Sequence, residues 1–156
     1  MPQVTKGGKY VFGKVIIGQN GTVVIPPEAM QEYRYYDGDN VILMSGSRTS
    51  GGFVLTVKSL IEKSEIASIF EASPGLMNFS LPVTQIVKNA GRSFCWTVIQ
   101  PGGNIVLPLK TLSAYGIKPG DRLLAIRGSN YGITLIARGP LWARIIKHEE
   151  LPFFGN

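Results

Sequence analysis

QNGTVVIPPEAMQEYRYYDGDNVILMSGS, residues 19–47, returns as PGGNIVLPLKTLSAYGIKPGDRLLAIRGS, residues 101–129. An offset of 82 residues sets Pro26 on Pro108. Without a gap it also aligns Gly21 with Gly103, Val24 with Val106, Tyr33 with Tyr115, Gly38-Asp39 with Gly120-Asp121 and Gly46-Ser47 with Gly128-Ser129. Phe12 and Phe94 extend the match upstream, and Gly52 meets Gly132 at an offset of 80, so the second copy has a closing loop two residues shorter. Loop tips tolerate such differences. The chain is a tandem duplication.

Each copy reads as strand, strand, short helix, strand, strand. In the first, Tyr10 to Ile17 is a strand, Gly18-Gln19-Asn20-Gly21 a turn, and Thr22 to Ile25 a strand that resumes the pairing. Pro26-Pro27 stops the ladder and suits the first turn of a helix, Glu28 to Tyr33, with Glu28 and Glu32 outward and Ala29, Met30 and Tyr33 reaching the core. The Gly38-Asp39 turn leads to a buried strand, Val41 to Met44, and Phe53 to Val57 pairs back across the loop Ser45 to Gly52. The second copy repeats this with Phe94 to Ile99, Ile105 to Leu107, the helix Pro108 to Tyr115, Leu123 to Ile126 and Ile133 to Ala137.

The organisation is a first repeat over 10–58, a connector over 59–90, a second repeat over 91–139 and a tail over 140–156. In the connector, Leu60, Ile61, Ile66, Ile69 and Phe70 predict an amphipathic helix ended by Pro74-Gly75, and Val83, Ile86 and Val87 predict a second helix from Pro82 to Asn89. Gly139-Pro140 breaks the last strand, and the tail predicts a helix whose Leu141, Trp142, Ile145 and Ile146 cap the fold or meet another subunit. A unit of four short strands cannot close its own sheet, so both repeats are expected to form one β-barrel, with the connector and tail helices added to it.

At 156 residues, 44% hydrophobic and 17% charged, the chain has the composition of a folded domain. No apolar run reaches the length of a membrane span, and MPQVTKGGKY has no apolar leader, so a cytoplasmic protein without membrane partners is expected. The single Cys95 agrees, since it cannot form an internal disulfide. The net charge of +6 is uneven: residues 9–58 hold five basic and four acidic side chains, and residues 91–139 hold six basic ones against Asp121 alone.

A basic second half is the footprint of a polyanion partner. Arg92, Lys110, Lys118, Arg122 and Arg127 are the candidate phosphate contacts, joined by Arg34 from the first repeat. Tyr33 and Tyr35 match Tyr115 and Ile117 and are expected in the core, which leaves Arg34 and Tyr36 free. His148 and Cys95 lie far apart, with no metal-ligand spacing and no orienting group for a nucleophile. Neither G-x-x-x-x-G-K-[ST] nor G-x-G-x-x-G occurs, so no cofactor and no catalytic residue are expected.

The motif GTVVIPPEA followed by Gly38-Asp39, and again GNIVLPLKT followed by Gly120-Asp121, resembles the SpoVT/AbrB (AbrB/MazE-type) domain over Tyr10 to Lys58 and Arg92 to Arg138. The resemblance implies a mainly β fold, a pseudo-two-fold swapped-hairpin barrel that two chains usually build and one chain would build here. Double-psi and RIFT-type barrels share the Gly-Asp turn and remain alternatives. The resemblance also implies a prokaryotic DNA-binding transcription regulator or antitoxin. Two departures stand out. Thr22 and Asn104 follow the motif glycines where that family places a basic residue, and Met30-Gln31 and Leu112-Ser113 replace the arginines of its helix. Duplex contact is therefore expected through the backbone alone, mainly from the second repeat. The alternative is a protein-interaction or homo-oligomerisation module without DNA binding, using the Ser59 to Ala90 helices and the Leu141 to Phe154 tail.

Overall fold

The computed structural model describes residues 10–63, 67–128 and 132–155, without the side chain of Ile69. In chain order the elements are β1 (Val11–Ile16), β2 (Thr22–Val24), α1 (Pro27–Tyr33), β3 (Asn40–Ser45), β4 (Phe53–Thr56), α2 (Lys58–Glu62), α3 (Ala67–Glu71), α4 (Pro74–Met77), β5 (Val87–Asn89), β6 (Arg92–Val98), β7 (Asn104–Val106), α5 (Leu109–Ala114), β8 (Arg122–Arg127), β9 (Gly132–Ile136), α6 (Pro140–Ile145) and β10 (Phe153–Phe154). The fold is mainly β. Among the described residues no helix is long and apolar enough to cross a membrane.

Strand pairing crosses between the repeats. Thr22 to Ile25 is expected to pair back on the first strand, but the contact stops at the turn, where Gly18 N–H donates to the Thr22 carbonyl and Gly21 N–H to the Gly18 carbonyl, both at 2.9 Å. Instead β2 pairs antiparallel with β7. The other strands form one sheet in the order β10-β1-β8-β9-β4-β3-β6-β5. The registers are related by the sequence offset: Asn40 faces Val98 as Arg122 faces Ile16, and Ile42 faces Trp96 as Leu124 faces Lys14. Val23 lies opposite its own counterpart Ile105, and Val54 opposite Thr134. A pseudo-two-fold axis therefore runs through these two pairs, as in an isologous dimer interface. The symmetry breaks in β1, where a register shift falls between Val11 and Gly13.

The motif residues lock one copy to the other. Gly38 N–H donates to the Ile99 carbonyl (2.7 Å) and Gly120 N–H to that of Ile17 (2.8 Å). The Asp39 and Asp121 carboxylates accept the Tyr36 and Lys118 amides at 2.9 and 3.0 Å, which holds each turn in shape. At Gly21 (φ +84°) a Cβ would lie 2.0 Å from the Leu107 carbonyl oxygen, so only glycine admits this approach of β2 to the other repeat. Pro27 occupies the first turn of α1, and Arg34 ends the helix in the left-handed conformation.

The central core draws on both repeats, including Phe12, Val23, Leu43, Phe53, Cys95, Ile105, Leu123 and Leu135. Tyr35 and Tyr115 are buried in it as expected and donate to the Leu55 and Leu43 carbonyls; Tyr33 is half-buried at its margin. Strands β3, β4 and β8 read as continuous apolar runs because a second layer covers their other face. Ile42, Met44, Val54 and Phe94 lie under Ile61, Phe70 and Leu76 of the connector, with the Phe70 and Phe94 rings edge-to-face at 4.9 Å. Val11, Leu124, Ile126 and Ile136 lie under Ile145 and Leu151 of the tail. The flanking strands β1 and β6 are in turn covered by β10 and β5.

The connector differs from its expected form. Short helices α2 and α3 replace the single amphipathic helix, with Ile66 outside the described residues, and Pro74 opens α4 instead of only ending what precedes it. Pro82 to Asn89 is not a helix. Thr84 is left-handed (φ 66°), its amide bound to the Trp96 carbonyl, and Val87–Asn89 forms β5, joined to β6 through Ala90 and Gly91, both at positive φ. The β-branched Ile86 and Val87 favour extended backbone, and the two-residue left-handed turn sets the hairpin.

Candidate binding surface

The cations expected to meet phosphate do not form one face. Arg122 and Arg127 occupy the two ends of β8, separated by roughly 17 Å of strand. Arg127 is held across the repeat boundary: its Nε donates to Glu32 Oε2 at 2.7 Å, a second nitrogen donates to Oε1, and the guanidinium carbon lies 4.6 Å from the centre of the Tyr10 ring. That hydrogen-bonded cation holds the Glu32 carboxyl below its ordinary range. The Tyr10 hydroxyl donates to both Glu28 oxygens, at 2.8 and 2.9 Å. Desolvation first, then the Glu28 hydrogen bond and charge, push Tyr10 up to about 12. Arg127 is thus neutralised by an acid from the other copy and packed on an aromatic ring.

Lys118 is paired as well, its Nζ 3.4 Å from Asp121 Oδ1, although its side chain is largely exposed. Arg92 opens β6, exposed, with its guanidinium on the Met44 sulfur at 3.1 Å and no acid in contact among the described residues. Arg34 is exposed at the end of α1. Lys110 lies on α5, lining a groove with Lys88.

The outer side of the β2/β7 ribbon, which carries the motif positions after Gly21 and Gly103, is uncharged. Thr22, Val24 and Asn104 are half-buried, Val106 is 43% exposed, and Leu109 at the start of α5 is 68% exposed. At one end of this side the Asp37 carboxylate accepts the amides of Gly102 and Gly103 at 3.1 and 3.0 Å, with Tyr36 exposed beside it. A duplex laid there would meet apolar groups and one acid.

The geometry around Cys95 does not suit a nucleophile. It is fully buried, burial pushes its thiol up to about 11, and its sulfur accepts the Tyr115 hydroxyl at 3.3 Å. His148 lies in the tail, its Nδ1 3.0 Å from Glu150. Among the described residues no group of three or more His, Cys, Asp or Glu side chains comes together.

The Lys88/Lys110 groove is the feature that the sequence reading misses. It lies between residues 82–88 and α5, with a volume of about 560 Å³. Reading Pro82 to Asn89 as a helix hides it. The Asn89-Ala90-Gly91 turn signal before the strand of Phe94 is the one local sign of the hairpin. In comparison with known proteins, the chain matches no family model, and no curated protein matches it in sequence.

Proposed function

We propose that the chain is a single-chain counterpart of a SpoVT/AbrB-type dimer, its two copies closing a swapped-hairpin barrel, and that it is a non-catalytic regulator that binds duplex DNA through phosphate contacts. The exchange of strand partners between the copies, with Val23 facing Ile105 on the pseudo-axis, supports the barrel. One observation carries the DNA reading: Arg34, Arg92, Lys110 and Arg122 are exposed, make no ion pair with a described residue, and sit on a body of net charge +6. Arg127 and Lys118 contribute less, because Glu32 and Asp121 already neutralise them. Four available cations correspond to a log–log salt slope of about −4 at most, and the separate edges they occupy lower it further. Fluorescence anisotropy with a labelled random-sequence duplex, titrated from low to physiological salt, tests this. Absence of a complex at the lowest salt refutes it.

A second reading rests on the uncharged ribbon side. Val106 and Leu109 are exposed where a DNA-binding face needs cations, whereas Ile61, Phe70 and Leu76 of the connector and Ile145 and Leu151 of the tail are packed on the chain's own sheet. Self-association then uses the ribbon side and a second copy of the chain. Sedimentation of the native protein and of Leu109→Glu tests it: a concentration-dependent dimer abolished by the substitution supports the reading, and a monomer throughout refutes it.

A further inference from the structure

The Lys88/Lys110 groove has features that duplex binding does not use. One wall is the connector segment before β5, and the other is α5 with Pro108. Val83, half exposed, together with Ile86 and Pro108 supplies apolar surface; Lys88 and Lys110 supply two exposed cations; no acidic residue lines the groove. Neither lysine makes an ion pair with a described residue.

The walls are tied together. The buried Thr111 hydroxyl donates to the Thr84 carbonyl at 2.8 Å, Thr84 N–H donates to the Trp96 carbonyl at 2.9 Å, and Trp96 Nε1 donates to the Leu81 carbonyl at 2.7 Å. These bonds hold Thr84, a β-branched residue, at φ 66° in the groove wall. Such a residue stays left-handed only where its surroundings over-determine it, and such positions cluster at ligand sites. The charge on the α5 wall is not repeated across the pseudo-axis: residue 110 corresponds to Glu28, an acid that the Tyr10 hydroxyl bonds.

We propose that this groove binds a small amphipathic organic anion, its carboxylate or phosphate between Lys88 and Lys110 and its apolar body along Val83, Ile86 and Pro108. The volume suits a ligand of that kind, and the preformed walls suit it without rearrangement. The site shares Lys110 with the proposed duplex contacts, whereas Lys88 and the apolar wall belong to the groove alone.

Decanoate serves as the probe, with decanol and inorganic phosphate as its two halves, titrated into the full chain with ¹H–¹⁵N spectra recorded. Decanoate is expected to shift Thr84, Lys88, Lys110 and Ser113 saturably, and decanol and phosphate to bind far more weakly. Lys88→Ala and Lys110→Ala each remove an exposed charge and should weaken decanoate about tenfold while leaving the spectrum folded. Val83→Ser should weaken decanoate and leave phosphate unchanged. The proposal is overturned if decanoate shifts none of these residues up to its solubility limit, if decanol binds as tightly as decanoate, or if Lys110→Glu leaves the affinity unchanged. It is also overturned if a duplex alone, and not decanoate, perturbs them, which would make the groove a phosphate contact of the DNA site.

Discussion

If the connector is a structural layer, removing its anchor must cost stability, and Phe70→Ala is the sharpest perturbation. Phe70 is 1% exposed and packs edge-to-face on Phe94 of β6 at 4.9 Å, with Ile61, Leu76 and Met44 in the same cluster. Truncating a fully buried phenylalanine costs about 3–5 kcal/mol, of which the aromatic pair accounts for about 0.5–1.5 kcal/mol. For a chain of this size that lowers the melting temperature by roughly 10 °C. Urea unfolding followed by tryptophan fluorescence measures it, since Trp96 borders this cluster and packs 5.3 Å from Phe79. Tyr36→Ala, at a side chain 64% exposed, is the control and should stay within about 0.5 kcal/mol. A connector that is a detachable arm for a partner would lose less than about 1 kcal/mol in Phe70→Ala, and that result refutes the layered reading.

The two motif glycines should respond unequally. Gly103→Ala meets no atom closer than 3.6 Å and should cost about 1–2 kcal/mol for its left-handed backbone, whereas Gly21→Ala drives a Cβ onto the Leu107 carbonyl and should cost more than about 3 kcal/mol; equal urea midpoints would contradict the interlock. A double-mutant cycle on Arg127 and Glu32, whose side chains are 49% and 34% exposed, should return a coupling of about 0.5–1 kcal/mol that fades at high salt; zero coupling at low salt would contradict it. Stability should fall in alkali. Cys95 is raised from 9.0 to about 11 and Tyr10 from 10.0 to about 12, and burial raises Tyr33, Tyr35 and Tyr115 as well. The unfolded chain gives up these protons first, so their contribution is complete below about pH 9 and is lost as pH rises through the folded values; a urea midpoint unchanged between about pH 8 and pH 11 would refute this. Glu32 acts in the opposite sense, its contribution present above the ordinary carboxylate value and lost on acidification.

What could be read from sequence follows from the range of each interaction. Turn chemistry is local, so Gly38-Asp39, Pro26-Pro27 and the doubled motif predict the element order correctly. Tyr35 is placed in the core by comparison with Ile117 alone. The partner of a three-residue strand is not local: Thr22–Val24 carries no information that points to Asn104–Val106 and away from the adjoining strand. Val83, Ile86 and Val87 satisfy a helical spacing by accident, and Thr84's left-handed backbone becomes tolerable only through bonds to Trp96 and Thr111. Arg127 appears free in a segment whose sole acid is Asp121, yet its partner Glu32 comes from 95 residues away.

That last point bears on how charge is apportioned in any interlaced duplication. Dividing the net charge by repeat assumes that each copy occupies its own region of surface, whereas β1 of one copy lies against β8 of the other and α1 brings its acids to the end of β8. The useful division is between residues that the pseudo-axis relates and residues that it does not. Val23 with Ile105 and Val54 with Thr134 lie on the axis and serve the core and the ladder. Lys110 against Glu28 is unlike across it. A dimer of identical chains must present each side chain twice, so a cation useful on one side is imposed on the other. Joining the copies in one chain removes that constraint. Here the removal is visible at the wall of one groove, where Lys110 stands at the position that Glu28 holds in the other copy.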